Sequence, residues 1–280
     1  MNRRWPRALA PELARGLRIA RVLLVTQYAY MLEYRAEIAL WALSGVLPFI
    51  MLGVWSAALA GAGGAAGLGL GLSQAELARY FLGAFIARQF TVVWVVWAFE
   101  EDSVAGRLSP YLLQPLQPLW RYVAAHLAEQ ATRLPFVAVI AALFFLLQPA
   151  AFALPTPGRL LLALPAIWMA FAIHFLLQSL IAILCFWSER AQALERLLFI
   201  PYLFLSGLVA PLAAFPPGVR QVAFLTPFPL MIGFPAQLLA GLEVPIASSF
   251  AAMAGWIALL LPLTALAWRA GVRRYTAMGA

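Results

Sequence analysis

Long apolar runs, separated by short segments that hold most of the charge, leave this chain few folds to adopt. A helix needs about 20 mostly apolar residues to cross the hydrocarbon core of a bilayer. Six stretches approach that length: Ile38–Ala60, Tyr80–Phe99, Leu134–Phe152, Leu160–Trp187, Leu197–Ala214 and Phe250–Trp268. The fourth contains Pro165, which implies a tilt, a kink or a start outside the core. Of the 280 residues, 64% are hydrophobic and 11% are charged. Soluble domains carry roughly 25% charged residues, and a soluble core cannot hide this much apolar side chain without large exposed patches. The expectation is an all-α integral membrane protein with six transmembrane helices.

Every one of the 19 basic side chains is arginine, and the formal net charge is +8. The arginines sit between the apolar runs, the pattern of a membrane protein's cytoplasmic loops rather than of a nucleic-acid surface. With the N-terminus inside, the cytoplasmic side collects Arg3, Arg4, Arg7, Arg15, Arg18, Arg21 and Arg35, then Arg107, Arg121 and Arg133, then Arg190 and Arg196, then Arg269, Arg273 and Arg274. The outer side has only Arg79, Arg159 and Arg220. Both termini are therefore expected in the cytoplasm. The chain divides into a cytoplasmic segment, residues 1–35, and a transmembrane domain, residues 36–280. Met1–Leu9 reads as a basic tail. Beyond it, Pro11 and Glu12 suit a helix start, and Leu13, Leu17, Ala20 and Leu24 recur at helical spacing, as in an amphipathic helix lying on the membrane. The first outer loop, Gly61–Leu72, is a glycine-rich tether. Phe215–Ser249 is apolar but broken by Pro216, Pro217, Pro227, Pro229, Pro235 and Pro245, which fits short re-entrant helices on the outer face.

The longest polar interruption runs from Glu100 to His126. Pro110, Pro115 and Pro118 forbid one long helix here and leave room for a short one between turns. Leu108, Tyr111 and Leu112 share a helical face at i, i+3 and i+4. This stretch is expected to be a cytoplasmic docking element.

Several chemistries are excluded. A phosphate-binding loop of the Walker A type needs a lysine, and the chain has none. His126 and His174 are too far apart in sequence to suggest a metal site, and Cys185 has no partner for a disulfide. Glu100, Glu101 and Asp102 are adjacent and cannot all face one point on a helix. They read as a solvated helix end paired with charges such as Arg107, with a membrane-embedded transferase built on them as the rival. A secondary transporter is the other rival; that class carries carboxylates within its spans, and none falls inside the six stretches above. Within the second span, Arg88 and Gln89 form a costly polar pair. They either line a substrate path or hydrogen-bond to His174 and Gln178, which share a face of the fourth span. Trp94, Trp97, Trp120, Trp187 and Trp268 fall near span ends, as in an aromatic belt.

Tyr34-Arg35 before the first span, Gly106-Arg107-Leu108 through Leu112-Leu113-Gln114-Pro115-Leu116 after the second, and Pro201, Ser206-Gly207, Pro211-Leu212, Pro216 and Pro227 in the tail resemble ABC-2-type permeases. The likeness runs from Tyr34 onward. It implies a permease subunit of an ATP-binding-cassette exporter in a bacterial-type inner membrane. It also implies an amphipathic connecting helix, a coupling helix between spans two and three, and a dimer with a second permease subunit, the same chain or a related one. An ABC ATPase subunit would carry ATP and Mg, with no cofactor on this chain. The docking residues it implies are Val104, Gly106, Arg107, Leu108, Tyr111, Leu112 and Leu113. A lipid, glycan or drug-like substrate follows from the same resemblance.

Overall fold

A computed structural model of the chain describes residues 9–61, 71–188 and 190–275, and every regular element among them is helical. The expected basic tail lies outside these residues up to residue 8, as do residues 62–70 of the tether and Glu189. In chain order the α-helices are α1 (Leu9–Glu33), α2 (Arg35–Ser44), α3 (Leu47–Gly61), α4 (Gln74–Thr91), α5 (Val95–Val104), α6 (Leu108–Leu112) and α7 (Leu119–Leu147). They continue with α8 (Pro157–Ile183), α9 (Gln192–Leu205), α10 (Pro217–Phe224), α11 (Phe228–Met231), α12 (Gly233–Leu239) and α13 (Ile246–Arg274).

Among the described residues four helices are long and apolar enough to cross a membrane: Gln74–Val104 across the α4–α5 junction, α7, α8 extended to Phe186, and α13. A fifth is present if α10 and the α11–α12 pair, bent by 72°, count as one broken span. The six expected spans are thus matched only in part. The first divides into α2 and α3. The fifth stops at Leu205, because Gly207 takes φ +89° and turns the chain before a span length is reached. The third starts at Leu119 rather than Leu134, because its first turns carry polar residues that face the protein interior and lower the hydropathy of the segment without exposing charge to lipid.

α4 opens with a capping box. Ser73 Oγ accepts from the Glu76 N–H, and the Glu76 carboxylate accepts from the Ser73 N–H at 2.8 Å, so two otherwise orphaned donors are satisfied. From there α4 runs through the largest core, where Leu77, Tyr80, Phe81 and Ala84 pack with α8, α12 and α13. Gly83 lets α4 approach α12 closely: a Cβ there would lie 2.6 Å from the Ala236 carbonyl oxygen. Arg79 and Arg159 cap the C-terminal end of α12 by donating to the carbonyls of Ala240, Gly241 and Leu242. A second core surrounds α5, with Val95, Val96 and Phe99 against Leu108, Phe175 and Phe186. The bundle therefore has two ends, one carrying the bent α10–α12 segment and the other carrying α6.

α1 packs along α7 by a narrow stripe in which Met31 is buried against Ala125 and Ala128. Of the stripe expected to be apolar, Leu17 is 71% exposed, whereas Leu24 borders a groove lined by Leu127 and Ala128 of α7. Arg15, Arg18 and Arg21 are also exposed. A helix with this surface, uncovered on a water-soluble body, would be an aggregation liability; such a surface is suited to a membrane interface.

Candidate functional site

The span formed by α4 and α5 is interrupted at residues 92–94. No proline or glycine causes the break. In α4–α5 the freed backbone groups are instead bonded by side chains from neighbouring helices. Arg133 donates to the Gln89 carbonyl at 3.1 Å, Gln130 to the Phe90 carbonyl at 2.7 Å, and His174 Nδ1 to the Thr91 carbonyl at 2.7 Å. The Trp94 N–H donates to His126 Nε2 at 3.0 Å. His126 Nδ1 in turn donates to the Tyr122 carbonyl at 2.6 Å, which assigns one neutral tautomer to that ring. The indole of Trp94 stacks on the His126 ring with centroids 4.1 Å apart and donates from Nε1 to Glu129 at 2.5 Å. Glu129 also pairs with Arg133, and both are buried. Irregular backbone at membrane depth survives only where protein or a water-filled cavity satisfies it. Here protein satisfies it on one side and a cavity lies on the other.

That cavity has a volume of about 800 Å³ and runs from Glu101 at the α6 end, past the break, to Met231 in α11. Arg88, Gln89, His174 and Gln178 all line it. Sequence reasoning placed these four together, but the hydrogen bonds it considered for Arg88 do not form. His174 bonds the Thr91 carbonyl, and Gln178 donates to Glu195 in a long contact of 3.4 Å. Among the described residues no hydrogen bond or ion pair engages the Arg88 guanidinium, which is half-buried on the cavity wall. Aromatic rings complete the lining. Tyr202 stacks on His174 with centroids 5.0 Å apart, Trp97 lies under the Arg196 guanidinium, and Tyr34 and Trp41 approach from α1–α2.

The expected third span starts at Leu134, which leaves His126, Glu129, Gln130 and Arg133 in the loop before it, and Trp94 is expected in an aromatic belt. The structure corrects both: the four polar residues belong to α7, and Trp94 packs at mid-span. Their spacing, i, i+3, i+4 and i+7, is one helical face. That stripe is the signal that would have found them. Glu129 also corrects the expectation of carboxylate-free spans, although its charge is matched by Arg133.

Of the three adjacent acids, Glu100 turns away from the other two, which share Arg107. Glu100 accepts from the Gln192 N–H at 2.8 Å and so caps α9. Glu101 pairs with Arg107 at 2.7 Å, and Asp102 takes both Arg107 and the Tyr122 hydroxyl at 2.7 Å. They do not converge, and among the described residues no cluster of His, Cys, Asp and Glu has the arrangement to hold a metal.

Beyond the acids, Gly106 turns the chain with φ +71° into α6. Leu108 is completely buried in the second core and Leu112 packs partly on it. Tyr111 lies beneath Arg121, with the guanidinium carbon 4.5 Å from the ring centre. Ser109 and Tyr275 hydroxyls meet at 2.9 Å, tying α6 to the end of α13. Leu113 is 88% exposed and Val104 59%. Leu108 is thus removed from the set of outward-facing side chains: it holds α6 to its own bundle.

Comparison with curated proteins gives no match. The family model described as "ABC-2 family transporter protein" matches residues 73–279, a region that takes in the broken span, α6, the cavity walls from α4 onward and the bent α10–α12 segment. That match covers well over half of the chain, and its multi-pass helical architecture agrees: this chain belongs to the ABC-2 transporter family.

Proposed function

We propose that the chain is the permease subunit of an ATP-driven exporter, energised by a separate ABC ATPase that docks at α6. The observation that carries this reading is the arrangement of α6 itself. Its inner face is held by Leu108, while Leu113 just after it projects with nothing among the described residues to cover it. A short helix fixed on one side and apolar on the other is suited to a partner's groove, where a few buried anchors supply most of the binding energy. ATP and Mg would be bound by that partner. Closure of two ATPase subunits would push on Val104–Leu116, and the push would pass along α5 to the cavity wall.

The arginine distribution supports placing the α6 end in the cytoplasm of a bacterial-type cell. Arg107, Arg121, Arg196, Arg273 and Arg274 lie at that end, whereas Arg79 and Arg159 are bonded at the α12 end. In this reading α2–α3 and α9 supply the crossings that complete a six-span subunit, and a second permease, identical or related, completes the transporter. The deciding experiment is affinity purification of the tagged permease from its native membrane. Recovery of a nucleotide-binding subunit whose ATP hydrolysis depends on the permease supports the proposal. A permease that transports without any such subunit overturns it.

A further inference from the structure

The cavity wall carries three polar groups whose bonding is incomplete, and they differ in kind. Arg88 presents a guanidinium without a hydrogen-bonding or ionic partner among the described residues. Gln178 is only 8% exposed, yet its Oε1 has no hydrogen-bond donor. Its amide orientation follows from its neighbour: the NH2 group faces the Glu195 carboxylate, which accepts but cannot donate, so the oxygen is the atom left over. Glu195 has no salt bridge among the described residues and also lines the cavity. One side of the cavity therefore lacks an anion, and the other lacks a cationic or neutral hydrogen-bond donor. Arg88 lies close enough to His174 to act on it electrostatically. Gln178 is four residues further along α8, about 6 Å along the helix axis. Aromatic and aliphatic side chains, among them Trp97, Phe199 and Leu198, line the same cavity.

We propose that this cavity binds a zwitterionic amphiphile, with its anionic group on Arg88, an N–H-bearing ammonium on Gln178 Oε1 and Glu195, and its apolar chain along the aromatic wall. This rests on the transport reading above and narrows its substrate. The shared chemistry, an anion beside a primary ammonium, occurs in a phosphoethanolamine headgroup and in an α-amino acid.

The test is a titration of the purified permease in maltoside micelles, followed by the fluorescence of the cavity tryptophans. The probes are lauroyl-lysophosphoethanolamine, lauroyl-lysophosphocholine, 2-aminotetradecanoic acid, dodecyl phosphate and dodecylammonium. One or both of the two N–H zwitterions should bind at least about tenfold tighter than dodecylammonium or dodecyl phosphate, each of which makes only half of the contacts. The phosphocholine, which has the same charges but no N–H, should be weaker than the phosphoethanolamine if the headgroup is the ligand; if the amino acid alone binds tightly, the source is an amino-acid amphiphile. Arg88→Gln should cost the zwitterions about tenfold and leave dodecylammonium unchanged, with Arg88→Lys recovering part of the loss. Gln178→Leu should remove the preference for N–H over its methylated counterpart. Equal affinity for all five probes, or an unaltered zwitterion affinity in a monodisperse Arg88→Gln protein, overturns the proposal. Recovery of the ATPase subunit is scored separately on the same variants. A transporter that assembles without the zwitterion preference sinks only this inference, whereas a binding preference without an ATPase sinks only the transport reading.

Discussion

Arg133→Leu is the sharpest test of how the broken span is held. Arg133 is 6% exposed and Glu129 8%, so the pair is largely withdrawn from solvent at the edge of the cavity. Among the described residues, removing the arginine leaves the Glu129 carboxylate with only the Trp94 indole N–H. Breaking a buried pair from one side costs about 3–5 kcal/mol. The Gln89 carbonyl loses its Arg133 donor as well, which adds about 1–3 kcal/mol. The single variant should therefore lose about 4–8 kcal/mol. In Glu129→Gln/Arg133→Leu the charge is gone, and the glutamine oxygen still accepts from Trp94. Only the carbonyl penalty remains, so the double variant should recover about 3–5 kcal/mol of the loss. The assay is unfolding from mixed micelles by increasing dodecyl sulfate, read by tryptophan fluorescence, for the wild type, both single variants and the double. A loss under about 1 kcal/mol for Arg133→Leu, or a double variant no more stable than that single, would show that the pair does not carry the break.

Other expected outcomes follow from the same geometry. Leu113→Asp should reduce co-purification of the ATPase with no change in thermal stability, whereas Leu108→Ala should destabilise the purified protein by about 2–5 kcal/mol, because Leu108 is fully buried. If Leu113→Asp keeps full ATPase recovery and coupled hydrolysis, α6 is not the docking element. Gly83→Ala should lower the melting temperature and the yield of folded protein, since the new methyl meets backbone rather than a yielding side chain; an unchanged melting temperature would contradict the tight α4–α12 seam. Cysteines introduced as Glu243→Cys and Gln117→Cys in a Cys185→Ser background should label from outside intact cells at position 243 only. Labelling at 117 alone would invert the orientation.

The helices that face lipid were legible because their hydropathy is continuous, as in Leu160–Trp187 against the observed Pro157–Phe186. The short helix after the second span was legible too, since Pro110, Pro115 and Pro118 leave few other conformations. The break at residues 92–94 was not. Thr91, Val92 and Val93 are β-branched, a weak bias against helix, but the bonds that hold the break come from residues 32 to 83 positions away. Local sequence contains no trace of such partners. The same cause hid the start of α7. A hydropathy window averages over all faces of a helix, so an inward polar stripe at His126, Glu129, Gln130 and Arg133 looks like a loop. At the cavity, Arg88 and Gln178 stood out as residues that lipid would not tolerate; that they remain unsatisfied toward the same space needed coordinates.

The break in the second span also changes what α5 is mechanically. An unbroken helix resists bending because its hydrogen-bond ladder must stretch. α5 begins where the ladder has been handed over to side chains, so it can turn about residues 92–94 while its own ladder stays intact. One end of this ten-residue rod is pinned at the break and the other carries α6. At about 1.5 Å per residue its length is roughly 15 Å. Rotation through about 10° at the pinned end would then sweep the far end through about 2.6 Å, with the small angle and the long arm fixed by geometry alone. In the proposed reading, work done by the ATPase on α6 would arrive as torque at Trp94, beside Gln89 and Arg133, rather than being spread along a rigid span.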